Sequence, residues 1–178
     1  MDAEASKTAM AETVEQYIAR IRANVAGKDP LTVMKQTPSK IRDIVSSAKP
    51  EQLDYRSAPG KWSIREQLAH LADAELVIAA RIRWAAAEPG SAVVAYDQDK
   101  WAKTSRYADV PAQESLALFS TIRQATLAFI ERLSADERAN AYTQHSERGK
   151  ETLDRILEMT AGHDINHLEQ MTKLASSR

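Results

Sequence analysis

Apolar residues recur at three- and four-residue intervals along most of the chain, the spacing of one face of an α-helix. Met10, Val14, Tyr17, Ile18, Ile21 and Val25 form the first stripe. It predicts an amphipathic helix from about Ser6 to Gly27, where glycine can take the left-handed conformation that ends a helix ahead of Pro30. Between Pro30 and Gly60 the chain is punctuated by Pro38, Pro50 and Pro59. Thr37 followed by Pro38 reads as a helix cap with proline at the first helical position, so a short helix and irregular connections are expected there. Ser63 and Glu66 have the spacing of a capping box, which opens a second long helix that Glu88-Pro89-Gly90 stops. From Ser91 to Pro111 there is no sustained period beyond one or two turns around Trp101, and that length suggests a crossover packed over another element. Pro111 opens a third helix along Leu116, Phe119, Ile122, Thr126, Phe129 and Leu133, ended or restarted at Ser134-Ala135-Asp136. A fourth runs from about Lys150 to Ala175 along Leu153, Ile156, Thr160, His163, His167, Met171 and Leu174. Four helices with one apolar stripe each bury those stripes most simply against one another. The expected fold is therefore all-α, a four-helix bundle with short extra helices in its connections.

Composition narrows this further. With 178 residues, 43% hydrophobic and 28% charged, the chain reads as one globular domain over 1–178, its polar first residues, about 1–8, expected to be disordered. Five glycines and 6% aromatic residues argue against an all-β fold. A formal charge of -1 lacks the basic excess that phosphate neutralisation demands, so nucleic acid is not an expected partner. Cysteine is absent, which excludes disulfides, thiolate metal ligands and a cysteine nucleophile; thiol chemistry here would need a thiol brought by a cosubstrate. The polar N-terminus has no apolar leader, and the most apolar stretch, Leu76 to Ala87, is broken by Arg81 and Arg83. A soluble cytoplasmic protein with no membrane partner is expected.

Two of the four histidines, His163 and His167, stand one helical turn apart on the inward stripe of the last helix. Residues so spaced have Cβ atoms about 5 to 6 Å apart, from which two imidazoles can converge on one metal ion. His70, on the Gln67, His70, Ala74, Val77 stripe of the second helix, is the natural third ligand. Three neutral imidazoles leave a coordination position open for water and can lower its pKa to about 7. Such pairs also arise by chance, and buried histidines are often hydrogen-bonded core residues, so the residues alone leave both readings open. Asp164 follows His163 where a zincin would carry glutamate, so a protease of that type is not supported. His145 reads as a solvated loop histidine and is left out of the site. Arg81 and Glu75 read as a buried structural ion pair, with Asp73 or Arg123 as further members, against a substrate-binding role for Arg81 or Arg123. Trp62, Trp101 and Tyr96 read as packing aromatics at the bundle mouth that could also line a pocket. Asp97 and Asp99 read as turn and cap residues, and Met10, Met34, Met159 and Met171 as core fillers.

Pro59-Gly60-Lys61-Trp62-Ser63-Ile64 leading to His70-Leu71-Ala72-Asp73, then Tyr96-Asp97-Gln98-Asp99-Lys100-Trp101, then Gly149 and Thr152-Leu153 ahead of His163-Asp164-Ile165-Asn166-His167-Leu168-Glu169-Gln170, together resemble the DinB/YfiT-like superfamily. The resemblance extends from about residue 12 to 175. It implies an up-down-down-up four-helix bundle holding a divalent metal, nickel or zinc, on His70, His163 and His167, with no ligand position substituted. Members are named as metal-dependent hydrolases, while relatives are S-transferases of low-molecular-weight thiols or thiol-dependent isomerases. One fold hosts several chemistries. The leading expectation is hydrolysis of a small molecule by metal-activated water. The alternatives are transfer of a low-molecular-weight thiol and a metal-holding stress module without turnover. Such bundles can also form a homodimer through exposed helix faces.

Overall fold

The structure is a computed structural model describing residues 12–177. Helices α1 (Val14–Val25), α2 (Pro30–Ser47), α3 (Pro50–Asp54) and α4 (Ile64–Ala87) are followed by strand β1 (Ser91–Val93), helix α5 (Gln98–Thr104) and a 3-10 turn (Tyr107–Asp109). Then come α6 (Ala112–Arg132), α7 (Ala135–Asn140), the hairpin strands β2 (Tyr142–His145) and β3 (Gly149–Thr152), and α8 (Leu153–Ala175).

The apolar stripes of α2, α4, α6 and α8 meet in two clusters, and their membership gives the direction of each helix. Met34, Ile82, Ala85, Ile130, Leu153 and Ile156 gather at one end, bringing together the start of α2, the ends of α4 and α6, and the start of α8. Ile41, Val45, Ile64, Leu68, Phe119, Met171 and Leu174 gather at the other, where α2 and α8 finish and α4 and α6 begin. The bundle therefore runs up, down, down, up. Two successive helices pointing the same way need a long return, and residues 88–111 supply it. Tyr107 anchors that return on α4, its hydroxyl donating to Asp73 Oδ2 at 2.7 Å.

The first bundle member is α2, where a short helix was expected. Asp29 caps it, accepting from Thr32 N at 2.8 Å, and Pro30 occupies its first turn. Pro38 lies inside the helix instead of opening one. Proline has no N–H to give to the carbonyl four residues back, which is that of Met34. Arg123 on α6 supplies the missing donor, its Nη1 lying 3.1 Å from Met34 O. A tertiary hydrogen bond thus compensates for the break that local sequence announces.

Helix α1 lies outside the four, packed along α8. Thr13 caps it, so it starts at Val14; Ser6 and Met10 of the expected helix lie outside the described residues. Ile21 and Val25 are its buried residues. Arg22 pairs with Glu158 and Arg20 with Asn166, so the two helices run antiparallel. The helices approach closely at Gly162, where an added Cβ would sit 2.1 Å from the Ile21 carbonyl oxygen.

The three-stranded sheet corrects the expectation for residues 142–152. Strand β1 pairs in parallel with β2, Ser91 opposite Thr143, and β2 pairs antiparallel with β3, Tyr142 opposite Thr152. The hairpin turn needs the positive φ of Gly149, 69°. Thr152 then caps α8, which begins at Leu153 rather than near Lys150. Alternation along the strands buries Thr143, His145 and Glu151, so His145 is a buried strand residue and not a solvated loop histidine. Among the described residues no helix is long and apolar enough to cross a membrane.

Candidate metal centre

The register of α4 is set at its first turn. Ser63 Oγ accepts from Glu66 N, Glu66 Oε2 accepts from Ser63 N, and Arg56 clamps the same carboxylate at 2.6 and 2.8 Å. A cap of this kind is worth about 1 kcal/mol. It directs Gln67, His70 and Ala74 inward, all buried, toward the stripe of α8 that carries His163 and His167.

The three histidines meet. His163 Nε2 lies 3.1 Å from His70 Nε2 and 3.1 Å from His167 Nε2, and all three ligand atoms fall within 4.8 Å of one another. His70 and His167 are buried and His163 half-buried. Gln67 orients His167: its amide nitrogen donates to Trp62 O at 3.3 Å, so its Oε1 faces His167 Nδ1 at 3.0 Å and accepts that proton. The lone pair of His167 therefore sits on Nε2. Burial pushes the pKa of His70 down to about 3, with His163 adding to it, and that of His163 down to about 4, with Arg123 and Arg20 adding. His167 is lowered well below its ordinary value, again chiefly by burial.

Neutral imidazoles in this arrangement have more lone pairs than protons to share. His163 Nε2 can donate to one neighbour at most, leaving lone pairs opposed at 3.1 Å across the cluster. A shared cation removes that conflict, and three nitrogens about 2.0–2.1 Å from one ion lie about 3.0–3.4 Å apart. The residues fit a divalent metal. Trp62 covers the His70 side, its ring centroid 4.9 Å from the imidazole. On the other side His163 opens into a cavity of about 100 Å³ between α4, α8 and α1, with Val77, Ile78 and Met159 on its walls and Tyr17, Arg81, Tyr96 and Arg148 around it.

Beside this cluster the structure places a second one. Arg123 donates to Glu75 at 2.7 and 2.9 Å and to Asp164 at 2.6 and 3.1 Å, with every member 1% exposed or less. Burial opposes the charge of Arg123, but Asp164 and Glu75 outweigh it and raise its pKa. Glu75 is thus in a buried ion cluster, as the sequence suggested, yet Arg81 and Asp73 are not in it. Arg81 donates to Val94 O at 2.6 Å and lines the cavity. Tyr96 lines it too, with the Trp101 ring tilted against it, the centroids 4.6 Å apart. Sequence reasoning missed Gln67 as the partner of His167, although its spacing one turn before His70 marks it. It also missed Tyr17 and Arg148, which carry no local signal because they reach the cavity from α1 and the hairpin. Asp97 is a helix cap as expected, accepting from Lys100 N at 3.0 Å.

A family model for the DinB superfamily matches residues 34–171, a span that includes all three histidines. A protein of Oceanobacillus iheyensis, provisionally named as a metal-dependent hydrolase, is 24% identical over 155 residues, 87% of this chain and 89% of the relative. One from Geobacillus kaustophilus with the same provisional name is 26% identical over 144 residues, 81% of each. The solved structure of YfiT from Bacillus subtilis, provisionally described as a metal-dependent hydrolase with an unusual four-helix bundle topology, superposes with a TM-score of 0.74 at 23% identity, covering 91% of this chain and 87% of that one. At that identity the likeness bears on the fold.

Proposed function

Because the chain belongs to the DinB superfamily, and because three imidazole nitrogens converge beside an open cavity in its interior, we propose that it is a metal-dependent hydrolase of a small molecule. His70, His163 and His167 are the ligands, and the ion is nickel or zinc. The convergence of the three Nε2 atoms carries this reading, and the provisional names of the relatives support it. A divalent ion held there supplies Lewis acidity, bringing the pKa of a water molecule toward about 7 and polarising the bond to be broken.

The chain supplies the rest. Gln67 fixes the tautomer of His167, and Trp62 closes the back of the site. His163 is the ligand that faces the cavity, so a substrate approaches from the α1 side. The apolar side chains of Val77, Ile78 and Met159 hold solvent away, and the limited volume selects a small substrate.

Elemental analysis of untagged protein never exposed to a nickel column, alongside alanine variants of the three histidines, tests the ligand set. Near-stoichiometric metal lost in each variant is expected; unchanged occupancy in His163→Ala would overturn it. A panel of esters and amides, with and without chelator, tests the reaction. Metal-dependent consumption of a low-molecular-weight thiol with an electrophile, and no hydrolysis, would replace hydrolysis by thiol transfer. Bound metal with no turnover of either kind would leave a binding module.

A further inference from the structure

The two buried arginines among the described residues are provided for very differently. Arg123 faces two carboxylates and a carbonyl. Arg81 is 8% exposed, gives one hydrogen bond, to Val94 O, and has no carboxylate within ion-pair distance among the described residues. A guanidinium carries five N–H donors, and a desolvated cation without a counter-ion is strongly disfavoured. Burial, with Arg148 nearby, pulls its pKa down. The one carboxylate on the cavity wall does not relieve it. Glu151 is gripped by Arg148 through Nε at 2.8 Å and Nη2 at 2.9 Å, and those two charges cancel. Glu12 and Glu147 stand farther out at the mouth, where Glu12 is held by Arg20. Among the described residues that line the cavity beside His163, Arg81 is thus the charged group without an ion-pair partner.

The phenols of Tyr17 and Tyr96 share this wall, and neither hydroxyl has a hydrogen-bond partner among the described residues. Burial keeps both protonated, raising Tyr96 to about 12, so both are donors. Along α4 the residues between His70 and Arg81 that face the cavity are Ala74, Val77 and Ile78. Arg81 stands eleven positions beyond His70, about 16 Å along the axis of α4, and the histidine that lines the cavity is His163 on α8. The cavity therefore has a histidine end, an apolar middle and a cationic, donor-rich end.

We infer that the cavity binds a small anionic molecule, its carboxylate or phosphate held by Arg81 with the hydroxyls of Tyr17 and Tyr96, and its reacting bond placed across a short apolar stretch at the His163 end. The placement of the reacting bond rests on the hydrolase reading above; the anion site does not.

The test uses the full chain stripped of metal with a chelator, at constant ionic strength. Succinate, inorganic phosphate and the uncharged analogue succinamide are titrated by calorimetry into wild type and Arg81→Met. Saturable binding of succinate or phosphate, weaker by about tenfold or more in Arg81→Met, and no binding of succinamide are expected. The tighter of the two anions identifies the headgroup. Equal affinity in the two proteins, or no saturable binding of either anion, overturns the inference. Should Arg81→Met fail to fold, the Tyr17→Phe, Tyr96→Phe double variant takes its place, with binding weaker by about threefold or more expected and unchanged affinity overturning it. Because no metal is present, failure of the histidine assignment leaves the result intact. Metal content of Arg81→Met, expected at the wild-type level, separates the two claims from the other side.

Discussion

His163 and Asp164 are adjacent on α8, and the two buried clusters they belong to are built on opposite principles. Around Arg123 each charged group meets an opposite charge, and even the carbonyl orphaned by Pro38 is satisfied. Around His163 the polar atoms face one another without enough protons, and His70 Nδ1 has no partner among the described residues. A closed network has no chemistry left to offer a ligand; an open one holds lone pairs in a dry place at a standing cost. Burial and polarity are shared by the two clusters; the count of unmatched donors and acceptors is what separates them. By that measure Arg123 belongs to the scaffold, whereas the histidines and Arg81 keep groups that a ligand could match.

The largest expected effect falls on the closed cluster. Arg123→Met strands two buried carboxylates and should cost about 3–5 kcal/mol in urea unfolding; a loss below about 1 kcal/mol would mean the cluster is as open as its neighbour. Gln67→Ala, which removes the partner of His167 Nδ1 and the donor to Trp62 O, should weaken metal binding about 10- to 100-fold by chelator competition while leaving the fold intact. Equal affinity would show that the open cluster needs no outside orientation.

Acid should separate the two clusters next. His70 and His163 titrate near 3 and near 4 when folded, lowered chiefly by burial from an ordinary value of 6.5. Between those values the unfolded chain takes up protons that the folded one refuses. Stability of the metal-free protein should therefore be level above pH 6.5 and fall as pH drops toward 4, with a shallower fall in His163→Ala. A urea midpoint independent of pH over that range would contradict the buried neutral imidazoles. Smallest of all, Arg56→Ala breaks a charge pair on Glu66 whose arginine is 49% exposed, and should cost about 1 kcal/mol or less despite its two short hydrogen bonds.

What could be read from the chain divides along the same line between local and tertiary causes. The α4 start, the inward histidines and the crossover over α4 follow from a cap, a period and a length, all local. The choice of α2 over α1 as bundle member was not legible, because the proline that argues for a break is offset by an arginine 85 residues away. The sheet was missed because its strands are short and polar, and each makes sense only beside the others; Gly149 was its one local trace. Arg81 was assigned to Glu75 because periodicity reports which face a residue shares, not which of two arginines from different helices arrives there.

The contact at Gly162 has a consequence for how the cavity is closed. Helix α1 is seated against α8 by the absence of a single methyl group, immediately before the histidine that faces the cavity. It carries Tyr17 into the cavity wall, yet it precedes the span that the family model matches. The fold thus divides into an engine, α4 and α8 with the three histidines, and a jaw, α1, that closes one wall of the cavity. A change in the jaw reshapes that wall and leaves the three histidines in place.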